Sequence, residues 1–377
     1  MQDFDFAIVG AGIAGVSAAY HLAPQARVIV LEREHVAAYH TTGRSAALHS
    51  ETYGSAEIRA ITVSSGRFYR KPPQGFADHP LLTPRGALIA GRAEQQADMQ
   101  KAAAEYARLV PSVRWLDPAE TMRRQPLLRP EAAAGGAIFE EAEDMDVAAI
   151  HGGFLKGARA AGTVLRLDAE VVTLERWNGT WNIGLRDGES VAAANIINAS
   201  GAWADVLAGL AGAAPVGLVP KRRTAFTFDA PVGVDLVHMP MAIDFDETWY
   251  IKPEVGQFLG SPADETPSPP CDAQPEEIDI AIAVERIETA TTLKIRRIKN
   301  KWAGLRSFVA DKNLVVGYDP AVEGLFWLAG QGGYGIQTGE SAGRLAASLA
   351  LGRGMPGDIA GLGVSEAALS PARFTQG

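Results

Sequence analysis

Short apolar runs, each ending at glycines or small residues, organise this chain. Residues 6–9, "FAIV", form an unbroken apolar stretch of the kind found in a strand buried on both faces. It runs into "GAGIAGVSAAYHLA", where helix formers take over, and "ARVIVLE" follows as a second apolar strand. The end of the chain repeats the succession: "GLFWLAGQGGYGIQTGESAGRLAASLALG" is an apolar strand, a glycine-rich loop and a helix. Between these ends, "AAANIINASGAWAD" at 192–205 reads as a strand entering a small-residue turn, and "LLTPRGALIAG" and "TAFTFDAPVG" contain further strand-like runs. "EEIDIAIAVERIETATTL" opens with acids in its first turn, as a helix should, and residues 146–162 read as another helix. No internal repeat is present, so the pattern is that of an α/β protein.

The glycines give the first strand and helix a chemical meaning. Gly10, Gly12 and Gly15 stand in the G-x-G-x-x-G arrangement: the first permits a tight turn, the second lets backbone approach phosphates, and the third lets helix and strand pack closely. The helix that begins at Ile13 and Ala14 presents its N-terminus to an anion. Glu32 ends the second strand twenty residues after Gly12, where a carboxylate accepts both hydroxyls of an adenosine ribose. Strand, glycines, helix, strand and acid thus occur in order within 32 residues, which makes a dinucleotide site. The motif alone does not separate NAD from FAD.

Two later stretches favour FAD. After Glu32 the chain continues as "REHVAAYHTTGRSAALHSETYG" rather than as another regular strand-helix repeat, and Thr41, Thr42, Gly43, Arg44, Ser45 and Ala46 suit backbone lying against a phosphate and an extended cofactor. Glycines 330, 332, 333 and 335 would bring the last helix N-terminus against a flat electron acceptor, as a reduced, anionic flavin requires.

Composition narrows the class. With 377 residues the chain is long enough for a large core or two interleaved domains, and 47% hydrophobic with 21% charged residues excludes disorder. The net charge of −9 argues against general nucleic-acid affinity. The basic cluster of Lys294, Arg296, Arg297, Lys299 and Lys301 has no interleaved aromatics to stack bases and reads as a solvated edge. A single cysteine, Cys271, excludes an intramolecular disulfide and fits a reducing cytosol. It sits in "SPADETPSPPCDAQPEE", which reads as an exposed loop. The seven histidines show no metal-ligand spacing, so no metal is expected, and no apolar run is long enough to span a bilayer. A cytoplasmic protein without an export signal is the expectation.

"FAIVGAGIAG" with "VIVLERE", then "INASGAWAD", then "GGYGIQT" and a C-terminal helix, resemble the D-amino-acid-oxidase-type FAD-dependent oxidoreductases, among them glycine oxidase, sarcosine oxidase and D-amino-acid dehydrogenases. The resemblance covers nearly the whole chain. "YHTTGRSAA", "PKRRTAF", "WYIKP", "WAGLRSFVAD" and "GGYGIQT" are most similar to the D-arginine dehydrogenase branch. The resemblance implies a Rossmann-like FAD-binding domain of the glutathione-reductase type, made of residues 1–80, 145–215 and 302–377. Inserted into it is a mixed, mainly antiparallel α+β substrate domain of residues 81–144 and 216–301. To the cofactor residues above it adds Arg33, Val172, Ala199, Gly201, Trp203, Gly333, Tyr334, Gly335, Ile336 and Gln337.

The same resemblance supplies a substrate site. Arg306, in the otherwise apolar "WAGLRSF", would grip a substrate carboxylate, for which a guanidinium's planar fork is suited. Arg222 is implied as the second arginine, in competition with its neighbours Lys221 and Arg223. Tyr250 would hydrogen-bond the same carboxylate, Tyr53 would form a lid or pack, and Gln337 would bond flavin or substrate or cap the last helix. His40 and His49 lie near the flavin motifs in sequence, but neither is assigned as a base. Two positions depart from the branch: Ala87 stands where a Glu is expected and Leu48 where a His is expected. A buried cation without a carboxylate partner is costly, so the side chain accepted here is neutral or apolar.

The implied reaction is hydride transfer from the carbon bearing an amine to flavin N5, giving an imine that hydrolyses to a keto acid and ammonia. An N-alkylated glycine, releasing glyoxylate and an amine, is the alternative, and a non-catalytic flavin- or NAD-binding protein is a remote one. The reduced flavin would pass electrons to oxygen, a quinone or a protein. With its only thiol in a Pro-rich loop far from the flavin motifs, the chain is expected to bind FAD non-covalently.

Overall fold

A computed structural model describes residues 3–374. The strand Asp3–Val9 forms at the centre of a parallel array, between Val28–Leu31 and Ser190–Asn198, with Val164–Arg166 and Leu325–Ala329 outside them. Alternation explains why its run is apolar throughout. Phe6, Ile8, Val28 and Val30 face one core, shared with the helices Ile13–Leu22, Val147–Ala160 and Gly339–Ala350. Phe4, Ala7, Val9, Ile29 and Leu31 face a second core on the other side. The antiparallel strands Val171–Trp177 and Thr180–Leu185 extend the array beside Ser190–Asn198, and Val315–Tyr318 pairs with Leu325–Ala329, completing an eight-stranded sheet.

A second, nine-stranded sheet is antiparallel except where Met241–Asp244 runs parallel to Ala87–Ala90. Its longest strand, Val219–Asp229, alternates strictly: Phe226 and Phe228 enter a core covered by Ile280, Ala283 and Ile287 of the helix Glu277–Ala290. Ala225 faces the opposite side, with Ala87, Phe139, Met241 and Tyr250. A small three-stranded sheet of Leu48–His49, Glu143–Met145 and Leu82–Pro84 lies between the two large ones in sequence.

Two expectations are corrected here. The boundary expected at 302 falls inside the strand Asn300–Phe308, which pairs with Val219–Asp229 from Asn300 to Phe308 and so belongs to the second sheet. Apolar alternation shows that a strand forms but not which sheet receives it. The Pro- and Asp-rich stretch, expected to be exposed, is partly packed: Ala273 is buried, and the Asp264 carboxylate accepts the Thr224 N–H at 2.6 Å. Among the described residues no helix is long and apolar enough to cross a membrane.

Candidate active site

The dinucleotide turn is held by its own side chains. Gly10 adopts φ +108°, open to glycine at little cost, and a Cβ on Gly15 would stand 1.9 Å from the Gly10 carbonyl oxygen. The buried Glu32 carboxylate accepts the N–H of Ala11 at 2.8 Å and of Glu34 at 3.0 Å. Thr42 Oγ1 accepts the Ile13 N–H at 3.0 Å, and a Cβ on Gly12 would approach that oxygen to 3.2 Å. These contacts leave the N-terminus of the helix Ile13–Leu22 facing a cavity of about 300 Å³ between the two sheets.

Of the expected cofactor residues, Gly12, Ile13, Ala14, Thr41, Thr42, Arg44, Ser45, Ala46, Ala199, Gly201, Gly333, Gly335, Ile336 and Gln337 line this cavity. Gly10, Gly15, Glu32, Arg33, Gly43, Val172, Trp203 and Tyr334 are not in its lining. Glu32 and the glycines act by shaping the backbone. Gly43 lets the chain turn, since a Cβ there would stand 2.4 Å from the Ala38 carbonyl oxygen. Arg33 lies over the Trp203 ring, 4.9 Å from its centroid, while the Tyr334 hydroxyl donates to the Lys312 carbonyl. Val172 is half-buried in its strand, and nothing in the structure links it to the cavity. Arg44 reaches the lining, but its guanidinium donates to the carbonyls of Tyr39, Ala273 and Ala303 and pairs with Asp272, so it pins loops together.

Cys271 also departs from expectation. Distant from the flavin motifs in sequence, it lies beside them in space, lining a small side pocket with Thr41, Arg44 and Leu305. It is absent from the lining of the main cavity.

At the other end of the cavity stand Arg306, Arg223, Tyr250 and Tyr53. Arg222 is the expectation that the structure corrects. Its guanidinium bonds Glu276 and Asp279, away from the cavity, because alternation along Val219–Asp229 sends Arg222 to one face and Arg223 to the other. Arg223 donates to the Asp264 carbonyl at 2.8 Å. Burial, and then the charge of Arg306, lower its pKa from the usual arginine value. Arg306 makes one hydrogen bond, to the Tyr53 hydroxyl at 3.4 Å, and forms no ion pair among the described residues. Burial works against its charge, but Tyr53, Tyr250 and the carboxylates of Glu265 and Glu247 outweigh it and hold the pKa above the ordinary value.

Gln337 lines the cavity with its amide already engaged: Nε2 donates to Thr62 Oγ1 at 2.9 Å and Oε1 accepts the Ser50 N–H at 3.3 Å. His49 is fully buried and absent from the lining, as is His40, which bonds Glu34. Leu48 and Ala87 contribute to an apolar wall completed by Ile89, Tyr106, Phe139, Ala225, Met241 and Ile243. Sequence reasoning missed most of this wall, although the alternation of Ala87 with Ile89 and of Met241 with Ile243 is the signal that carries it. Glu247, on the turn after Met241–Asp244, is the one carboxylate-bearing residue in the lining.

Residues 5–349 match the family described as FAD dependent oxidoreductase. The chain belongs to that family. The FAD-dependent oxidoreductase domain-containing protein 1 of Bos taurus is 24% identical to this oxidoreductase over 399 residues, covering 92% of the chain and 81% of the relative. Mitochondrial dimethylglycine dehydrogenase of Rattus norvegicus is 24% identical over 266 residues, covering 68% of this chain and 30% of the relative. Glycine oxidase from Geobacillus kaustophilus has the same fold, with a TM-score of 0.82 at 22% identity, covering 99% of this chain and 98% of its own. Iminodiacetate oxidase from Chelativorans sp. BNC1 gives 0.81 at 22% identity, covering 97% and 98%.

The residues present fit FAD. Gly10, Gly12 and Gly15 leave the backbone bare at the helix N-terminus, as a pyrophosphate needs. The Glu32 carboxylate keeps acceptor capacity beyond its two backbone bonds. A Cβ on Gly333 would stand 2.8 Å from Arg306 Nη1, so the glycine lets that loop lie close to the cation without displacing its guanidinium.

Proposed function

We propose that this oxidoreductase oxidises a small amino acid, with Arg306 and Arg223 gripping the substrate carboxylate, Tyr250 hydrogen-bonding it, and the apolar wall receiving a neutral side chain. One observation carries the reading: Arg306 lines the cavity and has no carboxylate partner among the described residues. A guanidinium that faces the cavity with no carboxylate hydrogen-bonded to it keeps its planar fork free, and a substrate carboxylate meets that fork bidentately. When bound, FAD supplies the hydride acceptor. The chain's residues supply orientation and electrostatics: the cations fix the carboxylate, the apolar wall excludes water from the side chain, and the carbon bearing a neutral amine is held in one attitude. Loss of hydride from that carbon leaves an iminium ion, which water converts to a keto acid and ammonium.

Leu48, Ala87, Phe139 and Met241 favour a D-amino acid with a neutral or apolar side chain over a cationic one. A second reading, an N-substituted glycine yielding glyoxylate and an amine, is favoured by the names of proteins similar to this one: glycine oxidase, iminodiacetate oxidase and dimethylglycine dehydrogenase. The apolar wall would then hold the N-substituent. Anaerobic mixing of the yellow protein with D- and L-amino acids, arginine, sarcosine and longer N-alkylglycines, followed at the flavin absorption band, separates them. Rapid bleaching by neutral D-amino acids with arginine slow is expected. Bleaching by N-substituted glycines alone selects the second reading, and bleaching by none of these compounds ends both.

A further inference from the structure

We infer that His151, on the helix Val147–Ala160, is a positioning residue for the cofactor, holding the Ala11 carbonyl so that the Gly12 N–H is aimed at the phosphates. The proposal rests on FAD binding at the dinucleotide turn. His151 is buried, with Nε2 2.9 Å from the Ala11 carbonyl oxygen. A carbonyl only accepts, so Nε2 carries the proton and the ring donates. Burial lowers the ring's pKa, which keeps it neutral. The helix comes close because Gly157 has no side chain: a Cβ there would stand 2.4 Å from the Tyr20 ring of the helix Ile13–Leu22.

Ala11, between β-strand and helix, is held through both of its flanking peptides. The Ala11 N–H goes to Glu32 at 2.8 Å, and its carbonyl takes His151 together with the Ala38 N–H at 3.2 Å. No peptide bond among the described residues is cis, so the Ala11 carbonyl and the Gly12 N–H point in opposite directions. Drawing the carbonyl toward His151 therefore turns the Gly12 N–H away from it. Gly12 lines the cavity, and its N–H has no acceptor among the described residues. In the trans peptide, a side chain outside the cavity, together with the Ala38 N–H, sets the direction of a donor inside it.

The test is titration of the flavin-free full-length protein with FAD and, separately, with riboflavin, which lacks phosphates, followed by quenching of flavin fluorescence. His151→Leu should weaken FAD binding about tenfold, as loss of one aligned donor implies, and leave riboflavin binding unchanged. His151→Gln, which keeps an N–H at similar reach, should restore FAD affinity to within about threefold of the parent. Unchanged FAD affinity in His151→Leu, or equal weakening of both ligands, overturns the proposal. Should the leucine variant not fold, His151→Asn, whose amide is too short to reach Ala11, takes its place with the same expected outcomes. A parent protein that binds no FAD would instead remove the premise.

Discussion

Arg223 and Arg306 form a diagonal pair across two neighbouring strands: Lys221 is the register partner of Arg306, and Arg223 stands two residues further along the same face. Burial first, and then the charge of Arg306, lower the pKa of Arg223, while Glu265 lies 3.4 Å from its guanidinium on the other side. An anion between them would satisfy both.

Replacing Arg306 with Ala should lower kcat/KM at least about thirtyfold, through KM, while FAD stays bound, since removing one partner of a desolvated charge pair costs roughly 2–5 kcal/mol. Steady-state kinetics on whichever substrate bleaches the flavin measures this, and an unchanged KM would refute the carboxylate clamp. Arg223→Ala should behave similarly but more mildly.

Arg222→Ala is the control one residue away. It strips the partner from Glu276 and Asp279 outside the cavity, so the melting temperature should fall while KM moves by less than about twofold. A KM change matching that of Arg223→Ala would show that the face assignment is mistaken.

Ala87→Glu places a carboxylate in the apolar wall. The ratio of kcat/KM for D-arginine to that for D-leucine should rise at least about tenfold, because a cationic side chain gains a partner and an apolar one meets a charge. An unaltered ratio would mean that substrate side chains do not reach this wall.

His21 gives a pH prediction. Burial, and then the charge of Arg344, bring its pKa from 6.5 down to about 3. The unfolded chain therefore binds a proton that the folded one resists, so this contribution is complete above about pH 6.5 and is lost progressively as pH falls toward 3. His21→Leu should flatten that part of the stability curve in urea melts between pH 7 and 4. A parallel curve, merely displaced, would place the acid sensitivity elsewhere.

Precipitation of the holoprotein with trichloroacetic acid should release all the yellow colour into the supernatant. Cys271 lines the side pocket and not the main cavity. Flavin retained in the pellet, and released on Cys271→Ala, would demonstrate a covalent link.

The flavin half of this fold was legible because its physics is local. A buried parallel strand must be apolar throughout, a tight turn needs Gly10, and close helix packing needs Gly15, so these residues announce themselves within a few positions of one another. The nine-stranded sheet was less legible because its meaning lies in pairing. Nothing near Arg222 or Arg223 in the chain says which faces the cavity, since that depends on Phe226 and Phe228 being claimed by the helix Glu277–Ala290. Cys271 and Ala273 were misplaced for a related reason: the carbonyl that Arg44 takes from Ala273 is 229 residues away in sequence. His151 carries no local signal in its helix, and its distance to Ala11 is what sets it apart.

The alternation of the strand Val219–Asp229 ties recognition to correct folding. If this strand paired one residue out of register, Phe226 and Phe228 would leave their core at the same moment that Arg223 left the cavity and Arg222 entered it. A misfolded copy would therefore be both sticky and unable to hold its substrate. Selection for solubility and selection for turnover act on the same hydrogen-bond ladder, so substitutions that loosen it should remove active molecules from the population before they alter the kinetic constants of those that remain.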